Sequence, residues 1–421
     1  MTGSCGKTTT TNLIAAVLSS RYRGSHSDGA WNCGLGVAHS LLSVRPDDHF
    51  FVQELGAWGP GTLDAGIELV RPDVAVITNV RNDHYSSFHG PCGAQTEKGK
   101  LVTALRPAGT AVLNADDPLV DELAARTPAR TVRFGRGPQA ELRAWDVTAS
   151  WPQGLTFSVG YAGRRRLVRT RLLGEHLLSS ALATLGVGLV FGLTLDEAAA
   201  ALERAEPTFR RMSPVPLPDG VTFIRDDYKA PADSIPEVLA FIAAAAAPRK
   251  LAVLGRISDF PGRSRLCYTQ VARQALVAVD VVVFVGRRAA ELWGEHRDTS
   301  AATQLAVRER LDRGSVRAPA DPAGGAMLVF ETVQGASGFL AGFLRRGDLV
   351  LLKGSGQADH LERILLSRQR TVSCWLPGCG KKEPCDTCPA IELPGGVRSD
   401  HGQRPDQRAG QHVGQWAGAG G

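Results

Sequence analysis

The sequence predicts an α/β fold: a phosphate-loop domain with a parallel sheet and a small antiparallel sheet, followed by a second doubly wound, Rossmann-like α/β domain. Three observations predict it. A Gly-x-x-Gly-Lys-Thr loop opens the chain and runs straight into an apolar helical stretch. Apolar runs of strand length then end in polar residues, as buried parallel strands do at their ligand-binding edge. Four more such runs, separated by helical stretches, recur beyond a cluster of prolines.

The loop comes first. Gly3 and Gly6 lack a Cβ, so the backbone N–H groups from Gly3 through Ser4 and Gly6 to Thr8 and Thr9 are free to turn toward one phosphate. Lys7 adds a mobile positive charge, and the Thr8 hydroxyl stands where a magnesium ion bridging the phosphates would sit. Thr9–Leu18 is predicted as the helix whose positive end faces the same anion. An ATP user is implied. No strand precedes the loop in this sequence, and the anchoring strand is expected upstream of a start assigned too late.

His49–Glu54 and Asp73–Thr78 are predicted as parallel strands. Glu54 closes the first, where a carboxylate suits the ion that Thr8 also touches. Asn79, Asp83 and His84 follow the second, placing an amide, a carboxylate and an imidazole on the same edge. Glu97-Lys98-Gly99-Lys100 then opens a helical segment that leads to Val112–Pro118 (VLNADDP). Each of these polar residues alone reads as an ordinary surface group. Their co-occurrence behind a phosphate loop, at successive strand ends, marks a site.

Residues 130–172 change character, with short alternating segments such as Leu155–Val159 and a turn near Gly163, which suits the antiparallel sheet. Ala181–Leu202 returns to helix, and the prolines within Pro207–Pro218 mark a hinge. Val221–Ile224, Lys250–Leu254, Val281–Val285 and Leu349–Leu352 are the strands of the second sheet. Cys374, Cys379, Cys385 and Cys388 form a C-x4-C-x5-C-x2-C cluster, either a zinc knuckle or a metal-free thiol-rich tail. The expected divisions are 1–212, 213–370, the Cys-rich 371–390, and a disordered tail over 391–421 whose composition lacks hydrophobic periodicity.

A chain of 421 residues permits more than one core. It has no apolar run of about eighteen residues and no signal-peptide pattern, so a cytosolic, soluble monomer without a membrane partner is expected. The net charge of +6 comes from scattered arginines, with Arg164–Arg166 the exception, and nucleic acid is not an expected partner. Eight cysteines in such a chain do not imply disulfides.

The motifs, in this order, resemble those of the Mur ligase family. Thr2–Thr10 (TGSCGKTTT) is similar to its phosphate loop, with Cys5 where asparagine is common, and Ile77–His84 (ITNVRNDH) to its Thr-Asn-x-x-x-Asp-His segment. Glu97–Leu101 resembles the stretch that holds a carbamylated lysine, and Val112–Pro118 its Leu-Asn-x-Asp-Asp-Pro. Gly174-Glu-His176 looks like its Gly-x-His-Asn, Arg210-Arg-Met212 its Gly-Arg-Met, Asp226-Asp-Tyr228 its Asp-x-Tyr, and Gly347–Ser355 (GDLVLLKGS) its closing Gly-Asp-x-Val-Leu-x-Lys-Gly-Ser. The likeness spans Thr2 to about Arg368 and is nearest the branch that adds D-alanyl-D-alanine.

That resemblance implies an ADP-forming ligase. A substrate carboxylate, with a UDP-muramoyl peptide as the example, would take the γ-phosphate to give an acyl phosphate, which an amine donor (an amino acid or dipeptide) would displace. It implies that Lys7 and the loop clamp the phosphates and that Thr8 and Glu54 hold one magnesium. His84 would hold a second with a carbamate on Lys98, or would serve as the amine-activating base. Asn79, His176 and Arg211 would face the nucleotide, with Asp227 and Lys353 approaching from the third domain. It also implies an N-terminal domain ahead of the loop. Leu177 and Ser180 replace the family's asparagines, and Lys229-Ala-Pro-Ala232 and Gly255–Gly262 (GRISDFPG) replace the branch's residues around the amine. The alternative is a nucleotide-binding or zinc-bearing interaction protein without ligase activity. A P-loop kinase or GTPase fits less well, because no guanine-reading Asn-Lys-x-Asp is present.

Overall fold

The computed structural model describes residues 1–28, 31–293, 327–379, 381 and 383–393. The first half is built on a six-stranded sheet in the order β3-β4-β5-β6-β7-β8, beside a parallel pair, β1 (Gly24–His26) and β2 (Phe50–Val52). Strands β3 (Val74–Ile77), β4 (Thr110–Asn114), β5 (Arg130–Gly135) and β6 (Leu142–Ser150) are parallel neighbours. Met1 and Thr2 lie between the pair and this sheet. The Met1 amine donates to Gln53 O at 2.6 Å, Leu55 N to Met1 O at 2.8 Å, and Thr2 N to Val76 O at 2.9 Å. Burial pushes that amine's pKa down to about 5.

Side-chain alternation explains why β3 and β4 are apolar throughout. Val76 and Val112 point into one core, while Ala75, Ile77, Ala111 and Leu113 point into another, so both faces are covered. The antiparallel strands β7 (Gly154–Tyr161) and β8 (Arg164–Arg169) are not a separate sheet. Strand β6 pairs in parallel with β5 and antiparallel with β7, joining the two parts into one mixed sheet.

Helix α1 (Lys7–Leu18) leaves the phosphate loop and packs on α7 (Leu178–Val190). Its Leu13, Ile14, Val17 and Leu18 are buried, each worth about 1.5–3 kcal/mol relative to exposure. Helices α2 (Leu35–Leu41), α3 (Asp64–Val70), α4 (Tyr85–Phe88), α5 (Pro91–Thr103) and α6 (Pro118–Asp121) fill the connections. The helical stretch expected over 181–202 holds two helices, α7 and α8 (Leu195–Arg204). Gly192 adopts φ 80, which ends the first, and Thr194 with Glu197 forms a capping box that starts the second.

The second sheet runs β13-β12-β11-β14-β10-β9. Its strands are β9 (Ser213–Pro216), β10 (Thr222–Asp226), β11 (Arg249–Leu254), β12 (Val281–Val285), β13 (Met327–Phe330) and β14 (Asp348–Lys353), parallel except for β9. Part of the stretch expected as a hinge is thus an edge strand, the position where proline does not break a ladder. Ala252 and Leu254 face one core and Leu251 and Val253 the other. Helices α9 (Ile235–Ala244), α10 (Ser264–Ala278), α11 (Arg287–Leu292), α12 (Val333–Phe343) and α13 (Glu362–Leu366) accompany this sheet. Beyond α13, Cys374, Cys385 and Ile391 pack into its second core. Ile391 is buried and accepts from Cys374 N, so the expected disordered tail does not begin there; from 394 on it lies outside the described residues. No described helix is long and apolar enough to cross a membrane.

Candidate active site

The phosphate loop is held by the edge of β3. Ser4 N donates to Asn79 O at 2.9 Å, Cys5 N to Asn79 Oδ1 at 2.8 Å, and Thr78 Oγ1 to Cys5 O at 2.8 Å. These contacts require the two glycines. A Cβ on Gly3 would run into the Thr78 hydroxyl, and Gly6, at φ 80, has Ser180 Oγ 2.9 Å from where its Cβ would be. The N-terminus of α1 therefore opens onto a loop of backbone N–H groups, an anion cradle. Lys7 Nζ folds over it, donating to Gly3 O at 2.8 Å.

Two polar clusters hang on loop hydroxyls. Thr8 Oγ1 donates to Glu54 Oε2 at 2.8 Å, and the other oxygen of this buried carboxylate accepts from Asn32 Nδ2 at 2.7 Å. Ser4 Oγ donates to Asp83 Oδ1 at 2.6 Å, and Lys98 Nζ reaches both Asp83 oxygens at 3.1 and 3.0 Å. Lys98 is fully buried on α5; burial, opposed by Asp83, holds its pKa below the usual lysine range. Carboxylate and hydroxyl oxygens gathered beside a phosphate cradle are the donor set of a hard cation such as magnesium. Glu97, next in the chain, does something else: it accepts from Gly61 N and Leu63 N at 2.9 and 2.8 Å, tying α5 to the loop before α3.

His84 stands at φ 48, where β3's connection turns toward the second sheet. Its backbone N–H donates to Asp259 Oδ1 at 3.2 Å, and Arg81 pairs with Glu237 at 2.9 Å, so the two halves meet across the loop. Burial, and then Lys229, lowers the His84 pKa, leaving a neutral imidazole at pH 7. Beside it lies a cavity of about 260 Å³ lined by Lys229, Ala230, Arg256, Ser258, Asp259 and Ser355. His176 is half-buried nearby; burial lowers its pKa, and its Nδ1 has no hydrogen-bond partner among the described residues.

Several expected nucleotide contacts are arranged differently. Both side-chain atoms of Asn79 bond Cys5, which makes it a brace for the loop. Arg211 lies 4.0 Å from the Tyr228 ring centroid. Asp227, expected to approach the nucleotide, is sealed at 1% exposure between Arg210 and Arg225, while its neighbour Asp226 takes Lys353 Nζ at 2.6 Å. Strand alternation is the reason: adjacent carboxylates at the end of β10 point to opposite faces. Sequence reading missed Asn32 and Glu237, because each comes from a loop or helix with no motif of its own, and it marked the segment of Asp259 without naming the residue.

The four cysteines do not gather as one tetrahedral set. Among the described residues, the group of three or more potential metal ligands whose donor atoms all lie within 4.8 Å of one another is His360, Glu362 and Cys385.

Comparison with known proteins agrees with this layout. The Mur ligase middle domain model matches residues 1–188, and the model described as Mur ligase, glutamate ligase domain matches 210–356. The chain is 32% identical over 366 residues to the UDP-N-acetylmuramoyl-tripeptide--D-alanyl-D-alanine ligase of Mycobacterium tuberculosis (strain CDC 1551 / Oshkosh), covering 85% of this chain and 70% of that one. It is 28% identical over 291 residues to the ligase of the same name from Escherichia coli (strain K12), covering 68% and 64%. In fold it is similar to MurF from Acinetobacter baumannii, with TM-score 0.73 and 23% identity over 88% of this chain and 76% of that one. It is also similar to MurF ligase from Thermotoga maritima in complex with ADP, with TM-score 0.68 and 20% identity over 87% and 77%.

Proposed function

The chain belongs to the Mur ligase family, and we propose from that premise that it joins an amine to a substrate carboxylate at the expense of ATP, forming ADP. The observation that carries the reading is the pairing of two clusters on one phosphate loop, Thr8–Glu54 and Ser4–Asp83–Lys98. A kinase needs the loop as well; what directs the reading to acyl-phosphate chemistry is the family match together with these clusters. The regions 1–212 and 213–370 are assigned as the ATP-binding and closing domains, in the cytoplasm.

Lys7 and the loop N–H groups hold the β- and γ-phosphates of ATP. The acceptor carboxylate oxygen attacks the γ-phosphorus as the bond to the ADP oxygen breaks, giving an acyl phosphate. The amine nitrogen then attacks the acyl carbon, phosphate leaves, and the amine proton passes to the departing phosphate, or to His84 where that imidazole serves as the base instead of as a metal ligand. Thr8 and Glu54 would hold one magnesium, and His84 with a carbamate on Lys98 a second. Bound there, magnesium supplies positive charge to the phosphoryl oxygens. A pKa held below the usual lysine range raises the share of neutral amine, the form that adds to carbon dioxide with release of a proton. Asn79 and the Thr78 hydroxyl keep the loop in its phosphate-facing shape.

The cavity beside His84 is the amine site in this reading. Lys229 and Arg256 offer positive charge to a substrate carboxylate, and Asp259 offers negative charge to an ammonium group. A small zwitterion such as a dipeptide fits that pattern. The relatives' names direct the reading to D-alanyl-D-alanine as the amine and a UDP-muramoyl tripeptide as the acceptor. The test is ADP and phosphate release from ATP, screened over muramoyl-peptide acceptors and amino-acid or dipeptide donors. Release that requires both substrates is expected; ATP binding with no turnover under any pair would favour a nucleotide-binding interaction protein.

A further inference from the structure

Cys385 sits in a cluster that the ligation reaction does not use. His360, Glu362 and Cys385 are 2%, 0% and 4% exposed, and His360 Nδ1 lies 3.6 Å from Cys385 Sγ and 4.0 Å from Glu362 Oε1. A tetrahedral zinc centre with bonds of about 2.0–2.3 Å separates its donors by roughly 3.3–3.8 Å. The three side chains are therefore close to a ligand arrangement before any ion arrives. The ring nitrogen that faces the other two donors is Nδ1, the atom a metal held by this cluster would take.

Outer contacts also hold the donors in place. Arg363 Nε donates to Cys385 Sγ at 3.2 Å, Arg210 Nη2 to Glu362 Oε2 at 3.3 Å, and Cys385 N to Glu362 Oε1 at 3.4 Å. We propose that His360, Glu362 and Cys385 bind a zinc ion. Thiolate and imidazole select zinc over magnesium, and a mixed sulfur, nitrogen and oxygen set is within zinc's range.

On metal binding the Cys385 thiol releases its proton to solvent. The ion would fasten Cys385 to α13. Through Asp386, Arg225 and Asp227 it would also support Arg210, at the start of the second sheet. This differs from the four-cysteine knuckle that spacing suggests, since Cys374 and Cys388 are not ligands.

The experiment is metal analysis of the full chain, expressed with zinc supplied and purified without chelator. About one zinc per chain is expected in the wild type, retained in Cys374→Ser and Cys388→Ser and lost in His360→Ala and Cys385→Ser. Zinc well below one per chain in folded wild-type protein would overturn the proposal without need of any variant. So would zinc that survives Cys385→Ser or that is lost with Cys388→Ser. Cobalt exchanged into the wild type should show a thiolate charge-transfer band, a readout independent of ligase turnover; its absence in a cobalt-loaded protein counts against the assignment.

Discussion

Replacing Lys98 with alanine separates the catalytic reading of this lysine from a purely structural one. Lys98 is 0% exposed and meets Asp83 at 3.0 Å, while the Asp83 side chain is 11% exposed and keeps its bond from Ser4. Breaking a buried pair from one side costs on the order of 3–5 kcal/mol, and the remaining bond and partial exposure of Asp83 put this case near the lower end, about 3 kcal/mol. Lost contact with the Phe88 ring, 5.5 Å from the ammonium, acts in the same direction. Catalysis should lose more than stability explains. If a carbamate on Lys98 positions charge on the phosphoryl oxygens, its removal should lower turnover by about 10²–10³-fold, as for other single groups that stabilise developing charge. Urea denaturation followed by tryptophan fluorescence measures the first effect. Amine-dependent ADP formation, at a temperature where the variant is folded, measures the second. Short-chain carboxylates should restore part of the turnover by occupying the space left by the side chain. A variant that loses about 3 kcal/mol yet keeps turnover within about threefold would refute the carbamate role and leave Lys98 as the counter-ion of Asp83.

Glu54→Gln preserves shape but weakens the negative charge beside Thr8, so the magnesium concentration for half-maximal turnover should rise by about tenfold or more; an unchanged magnesium titration would place the ion elsewhere. His84 is neutral above its lowered pKa, so its contribution should be present at pH 7 and lost as pH falls through a value below 6.5. His84→Gln should remove that acid limb from the kcat/KM profile, and a limb that persists belongs to another group. Asp227→Asn should act on stability, at about 3 kcal/mol, because the residue is sealed between two arginines. A raised KM for ATP in an equally stable variant would instead restore Asp227 to the nucleotide.

Much of the site is legible because one-dimensional pattern and local chemistry coincide there. Gly3, Gly6, Lys7 and Thr8 are neighbours in sequence, and a loop between a strand edge and a helix leaves them one arrangement. Glu54 and Asp83 end or follow apolar runs, and the carboxyl edge of a parallel sheet collects such residues. Legibility fails where the answer depends on a face. Asp226 and Asp227 are equivalent as letters, yet one takes Lys353 and the other is enclosed by arginines. It fails also where proline and glycine have two uses: Pro214 and Pro216 read as a hinge but lie on an edge strand, and Gly192 splits the helical stretch read over 181–202.

The sequence by itself determined the class of fold, the phosphate cradle and the lysine and carboxylates around it. Those features follow from backbone freedom at glycine, from apolar periodicity and from charge, all of which are local. The tertiary structure alone decided partnership. It gave Lys98 to Asp83, Asn32 to Glu54 and Asp259 to His84, and it set Cys385 beside His360 and Glu362 when spacing had grouped it with three other cysteines. The physical reason is that a hydrogen bond or a ligand position is fixed to within a few tenths of an ångström by packing between elements distant in the chain, and no local pattern carries that information.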